Sequence, residues 1–115
     1  MSLDLYLNTP DTCPHCGGEL RGGTELWWQN ITHNVTPMWA KAGVYDALYE
    51  SDGHRASEYI EALEAGVKDM REHFTDYEKL DSPNGWGLAK HALPWLERTL
   101  VAFKENPTAT IRVSK

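Results

Sequence analysis

Residues 25–37 read ELWWQNITHNVTP, and the character of the chain changes halfway along them. Leu26, Trp27 and Trp28 lie in a β-favouring run, so the stretch begins as a strand. Asn30, Thr32, His33 and Asn34 then bring hydrogen-bonding side chains in quick succession. Thr36 and Pro37 start a helix, the threonine as N-cap and the proline at the first position, where its missing N–H costs nothing. The strand side chains divide into Leu26, Trp28 and Asn30 on one face and Trp27, Gln29 and Ile31 on the other. Neither face is cleanly apolar. That pattern predicts a strand in the middle of a small sheet, partly covered on both sides, with the tryptophans as core and rim packing.

On the N-terminal side, Leu3, Leu5 and Leu7 alternate with Asp4 and Tyr6, the period of a half-buried strand. Between the two strands lies Cys13-Pro14-His15-Cys16-Gly17-Gly18, half of a zinc ribbon by its spacing. Such a turn brings two thiolates to one point, and its glycines permit positive φ. The chain contains no other cysteine, whereas structural zinc takes four ligands. Three readings stand: a shell completed by histidines, with His33 and His15 nearest and His54, His73 and His91 further off; a four-cysteine site shared across a dimer; or a tight turn that binds nothing. A redox pair has less support, because Gly17-Gly18 is a poor helix start. The candidate metal ligands are therefore Cys13, Cys16 and His33, the candidate ion Zn2+ in a structural role, and residues 11–23 an insertion between strands.

On the C-terminal side, Met38, Trp39, Ala42 and Tyr45 mark a short helix that Gly43 ends or kinks. Ala56, Tyr59, Ile60, Leu63, Val67 and Met70 recur at intervals of three and four, which predicts an amphipathic helix over residues 55–73. On its charged face Glu64 and Lys68 are spaced as an i,i+4 pair. Residues 74–80 read as irregular. Pro83-Asn84-Gly85-Trp86-Gly87 is a tight loop presenting one large aromatic group. A last helix over residues 88–104 buries Ala89, Leu93, Leu96, Leu100 and Phe103, and Pro94 should bend it. Residues 110–113 close the chain as a strand free to lie beside either earlier one.

Strands and helices do not alternate as βαβ units do. The order predicts a single α+β domain over residues 1–115: a small, mainly antiparallel sheet of about three strands, about three helices on one face, and the knuckle-like turn between the first two strands. At 115 residues and 41% hydrophobic content, such a chain buries one core without disulfides.

The formal charge of −6 and pI near 5.3 argue against a protein that coats nucleic acid or anionic lipid. No run of about 18 apolar residues offers a membrane span, and the N-terminus lacks the basic and apolar regions of a signal peptide. The expected location is the cytoplasm, where the Asn30 and Asn34 sequons would carry no glycan.

The motifs W-x-x-N-I-T-x-N (Asn30, Ile31, Thr32 and Asn34), P-N-G-W-G (residues 83–87) and A-T-I-R-V (residues 109–113) resemble those of a family of small uncharacterised phage, prophage and bacterial proteins. The resemblance spans nearly the whole chain. It implies a compact intracellular α+β domain, in the host cytoplasm if phage-encoded, and brings no established activity or catalytic residue. Relatives of this type often lack the paired cysteines, which makes the knuckle an addition rather than a shared function.

Asn30, Thr32, His33, Asn34, Asn84 and Trp86 are the candidate ligand-binding residues: amides to read hydrogen bonds and an indole to stack. The bland alternative is that these groups bond their own backbone and build turns. For catalysis, His33 as a base oriented by Asp4, Asp46 or Asp52 is the arrangement to look for, and no catalytic residue is assigned. The leading expectation is an accessory binding protein acting by contact with a protein partner or a second copy of itself. The alternative is a small-ligand binder or enzyme centred on His33 and Trp86.

Overall fold

Leu3, Leu5 and Leu7 are fully buried while the residues between them are half-buried, so the first strand does have one core face and one outer face. The computed structural model describes residues 2–9 and 25–115. The knuckle with Cys13 and Cys16 lies outside the described residues. The strands are β1 (Ser2–Asn8), β2 (Glu25–Thr32) and β3 (Thr110–Ser114). The helices are α1 (Thr36–Ala42), α2 (Tyr45–Tyr49), α3 (Ile60–Glu72), α4 (Phe74–Glu78) and α5 (Ala89–Glu105). The fold is α+β, an antiparallel three-stranded sheet in the order β2-β1-β3 with helices packed against it.

The order corrects the expectation for β2. The central strand is β1, and β2 is an edge strand among the described residues. The reason is the cleaner alternation of β1: its leucines pair with Ile31, Gln29 and Trp27 on one side, and Leu5 and Leu7 with Val113 and Ile111 on the other. Trp27 and Ile31 pack partly buried against the core. Trp28 lies on the outer face, 51% exposed, stacked on Tyr6 and donating to Asp4 Oδ1 at 3.2 Å. At Leu7 and Asn8 the register shifts, so that Leu26 is the extra residue of a bulge.

The free edge of β3 is sealed. Gly53 N donates to Ile111 O, Ile111 N to His54 O, Ala56 N to Ala109 O, and Val113 N to the Asp52 carboxylate. Residues 52–56 thus act as an irregular fourth partner, which satisfies backbone groups that an edge strand would leave open.

The helices follow the spacing of their apolar residues, with instructive shifts. A 3₁₀ turn over His33–Val35 precedes α1, so Thr36 is its first residue rather than its cap. Gly43, in the left-handed conformation at φ +75°, ends α1 by donating to Ala40 O. The amphipathic stretch begins as a 3₁₀ turn over Ala56–Tyr59 and continues as α3. Glu64 pairs across to Lys104 of α5 at 2.9 Å rather than with Lys68, and Arg71 pairs with Glu97, so both ion pairs tie α3 to α5. The segment after α3, read as irregular, contains α4, whose buried Tyr77 donates to Asp69 of α3. Burial, followed by the Asp69 carboxylate, pushes the Tyr77 phenol well above its usual range. In α5 the buried residues are Ala89, Ala92, Trp95, Leu96, Thr99, Ala102 and Phe103, while Leu93 and Leu100 are half-buried. Pro94 lies within this helix and exposed to solvent. Among the described residues no helix is long and apolar enough to cross a membrane.

Candidate functional site

Two segments about fifty residues apart form the walls of one cleft. The first is the exit of β2. Trp95 Nε1 donates to Asn30 O at 3.0 Å and so fixes the end of the strand against α5. Thr32 stays extended, and its hydroxyl accepts from Asn34 N at 3.3 Å, which tightens residues 33–35 into their 3₁₀ turn. Val35, at the end of that turn, is buried and anchors it.

The second wall is the loop before α5. Asp81 Oδ1 accepts from Ala89 N at 2.7 Å, capping the helix from eight residues upstream. Asn84 Oδ1 accepts from the Ser82 hydroxyl at 2.6 Å and from Trp86 N at 2.9 Å, so one side chain closes the turn. Gly85 and Gly87 take positive φ of +78° and +107°. Gly87 also has no room for a side chain: a Cβ there would lie 2.8 Å from Asn34 Cβ. Asn34 Nδ2 donates to Trp86 O at 2.9 Å, and this bond joins the two walls.

Between them is an open cleft of about 730 Å³. All six candidate ligand-binding residues, Asn30, Thr32, His33, Asn34, Asn84 and Trp86, line it, together with Ser2, His91 and the backbone and apolar groups around them. Their freedom differs. The Asn30 amide nitrogen lies within bonding distance of Ser2 Oγ, Leu3 O and Asp4 Oδ1, so it mainly holds β2 to β1. The Trp86 side chain is 70% exposed at the rim.

His33 has a partner that the sequence did not suggest. Its Nδ1 is 2.8 Å from the hydroxyl of Tyr49, a buried residue of α2 whose ring stacks on Tyr45 at 4.7 Å. Burial, with a smaller contribution from Tyr45, pushes the Tyr49 phenol up to about 12, so it keeps its proton at neutral pH. A partly buried hydroxyl that keeps its proton needs an acceptor, and among the described residues His33 Nδ1 is the one within hydrogen-bond distance. We therefore assign Tyr49 as donor and His33 as the tautomer protonated on Nε2. The expected carboxylate orienters are occupied elsewhere: Asp4 receives Trp28 and Asn30, and Asp52 receives Val113 N. Asp46 makes no hydrogen bond to His33 either.

Tyr49 was not among the sequence candidates, and His91 was named only as a distant histidine for the metal shell, not for this cleft. Tyr49 is sixteen residues from His33 and shares no motif with it. His91, three residues after the P-N-G-W-G loop and its following leucine, could have been found by asking what the first turn of the helix places beside that loop. The candidate metal ligands Cys13 and Cys16 lie outside the described residues, and among the described residues no group of three or more His, Cys, Asp or Glu side chains is placed to hold a metal ion. Comparisons with protein-family models, curated proteins and solved structures give no match.

Proposed function

We propose that the protein is a binding protein whose ligand site is the cleft between the β2 exit and the 82–87 loop. One observation carries this reading: six polar and aromatic groups from two distant segments line the same cleft, joined by the Asn34–Trp86 bond. The motifs behind the resemblance to small phage and bacterial proteins, N-I-T-x-N and P-N-G-W-G, supply its two walls, which supports reading the cleft as what they encode. Its size suits a small molecule. Ligand-observed NMR with a fragment set on the full chain tests the proposal. Binding should be lost in Trp86→Ala, which removes an exposed ring and should leave the melting temperature within about 2 °C of the parent. Fragments that bind the parent and Trp86→Ala equally would refute it.

A second reading, contact with a protein partner or a second copy of the chain, is favoured by the edge of β2, which has no further strand among the described residues and where Leu26 is 47% and Trp28 51% exposed. Native mass spectrometry tests self-association: a dimer that dissociates in Trp28→Lys supports it, and a monomer at high micromolar concentration counts against it. For Cys13 and Cys16, metal analysis should find zinc at one per chain, or one per two chains for a shared site, that disappears in Cys13→Ser. Metal-free parent protein would remove that part of the proposal.

A further inference from the structure

We infer that the cleft takes a small, uncharged, planar heterocycle with a lactam edge, a ring carbonyl beside a ring N–H; this rests on the cleft being the ligand site. The chain has 17 acidic and 11 basic residues, yet among the described residues no Asp, Glu, Lys or Arg lines the cleft. A cation would meet no carboxylate and an anion no lysine or arginine among these lining residues, so neither gains an ion pair for the hydration it loses. An uncharged ligand meets no such cost.

The hydrogen-bonding capacity left over gives the edge. The amide orientations are fixed by their partners, since Asn34 must donate to Trp86 O and Asn84 must accept from Trp86 N. Asn84 has spent its oxygen twice and keeps its two N–H donors. Asn34 has spent one N–H and keeps its oxygen and the other N–H. The Thr32 oxygen accepts from Asn34 N and keeps its hydroxyl proton to donate. His33, with Nδ1 receiving the Tyr49 hydroxyl, keeps Nε2–H. Several free donors and one free amide oxygen among the lining groups complement a carbonyl adjoining an N–H. The exposed Trp86 indole at the rim offers a face on which a flat ring can stack.

Isothermal titration calorimetry on the full chain at neutral pH tests this with four probes: hypoxanthine, 1-methylhypoxanthine in which the lactam N–H is blocked, benzoate and benzylammonium. Hypoxanthine should bind at least about tenfold more tightly than its methylated form and than either ion, because the methyl group leaves the amide oxygen facing the lactam edge without its donor. Trp86→Ala should weaken hypoxanthine. Equal affinity for the two hypoxanthines would overturn the lactam edge. Benzoate or benzylammonium binding as tightly as hypoxanthine, with the same sensitivity to Trp86→Ala, would overturn the ligand class and leave the cleft as the site. No binding by any probe would overturn the inference, and fragment binding indifferent to Trp86→Ala would remove the site beneath it.

Discussion

Replacing Gly85 and Gly87 by alanine, one at a time, separates two costs that the loop before α5 combines. Both glycines have positive φ, +78° and +107°, where an L-residue is strained by about 1–2 kcal/mol. At Gly85 a Cβ meets nothing within 4 Å, so Gly85→Ala carries that strain alone, partly offset by about 0.4–1 kcal/mol from a stiffer unfolded chain. At Gly87 a Cβ would lie 2.8 Å from Asn34 Cβ, 3.2 Å from the Asn34 carbonyl carbon and 3.3 Å from Val35 Cγ1. Carbon pairs settle near 3.5–4.0 Å, and one of these neighbours is backbone that cannot rotate away. Overpacking of this kind adds about 1–3 kcal/mol. Gly85→Ala should therefore cost about 1 kcal/mol and Gly87→Ala about 2–4 kcal/mol. At roughly 4 °C per kcal/mol for a domain of this size, the melting temperature falls by about 4 °C and by about 8–16 °C respectively. Urea unfolding followed by circular dichroism gives the two free energies. Equal costs within about 0.5 kcal/mol would mean that the loop does not press on Asn34, and the account of how the two walls meet would fail.

Two further substitutions probe the supports behind the cleft. Trp95→Phe removes the indole donor from Asn30 O and should destabilise by at least about 1 kcal/mol, measured as a lower urea midpoint at unchanged slope; an unchanged midpoint would contradict the role given to that bond. Tyr49, whose phenol is raised from 10.0 to about 12, binds its proton more tightly folded than unfolded. Its contribution is complete below pH 10 and is lost as the pH rises toward 12, so stability should fall across that window and Tyr49→Phe should flatten part of the fall. Tyr77, raised for its own reasons, keeps some of the slope. A Tyr49→Phe curve parallel to the parent's between pH 10 and 12 would refute the assignment.

The legible parts of the sequence were those where one physical requirement acts alone. The leucines of β1 need only one buried face, and their alternation gives the strand, though not its central place. The spacing through Leu63, Val67 and Met70 likewise marks α3 without help from elsewhere. Adjacent tryptophans in β2 blur its alternation, because Trp27 packs toward the core while Trp28 lies on an outer face among polar partners; hence its edge position was not visible. In α5 the leucines drew the buried stripe toward Leu93 and Leu100, whereas the buried face runs through Ala92, Trp95, Thr99 and Ala102. Small residues can sit on a buried face without announcing it, and a threonine there satisfies its hydroxyl at the Trp95 carbonyl. The polar exit of β2 and the P-N-G-W-G loop were legible as separate clusters, and their meeting depends on a tertiary bond between Asn34 and Trp86 that no local rule predicts. The Tyr49 hydroxyl on His33 is of the same kind.

The chain's five tryptophans supply the most direct test of the cleft as the binding site. In a ¹H–¹⁵N spectrum each indole N–H is a separate reporter: Trp86 at the cleft rim, Trp28 on the outer sheet face, Trp27 on β2 against the core, and Trp39 and Trp95 packed against each other in the core. Titration with a bound fragment should move the Trp86 indole signal together with the backbone amides of His33, Asn34 and Asn84, while Trp28 and Trp39 stay in place. Shifts centred on Trp28 and the β2 edge, with Trp86 unmoved, would contradict the account and place binding on the sheet.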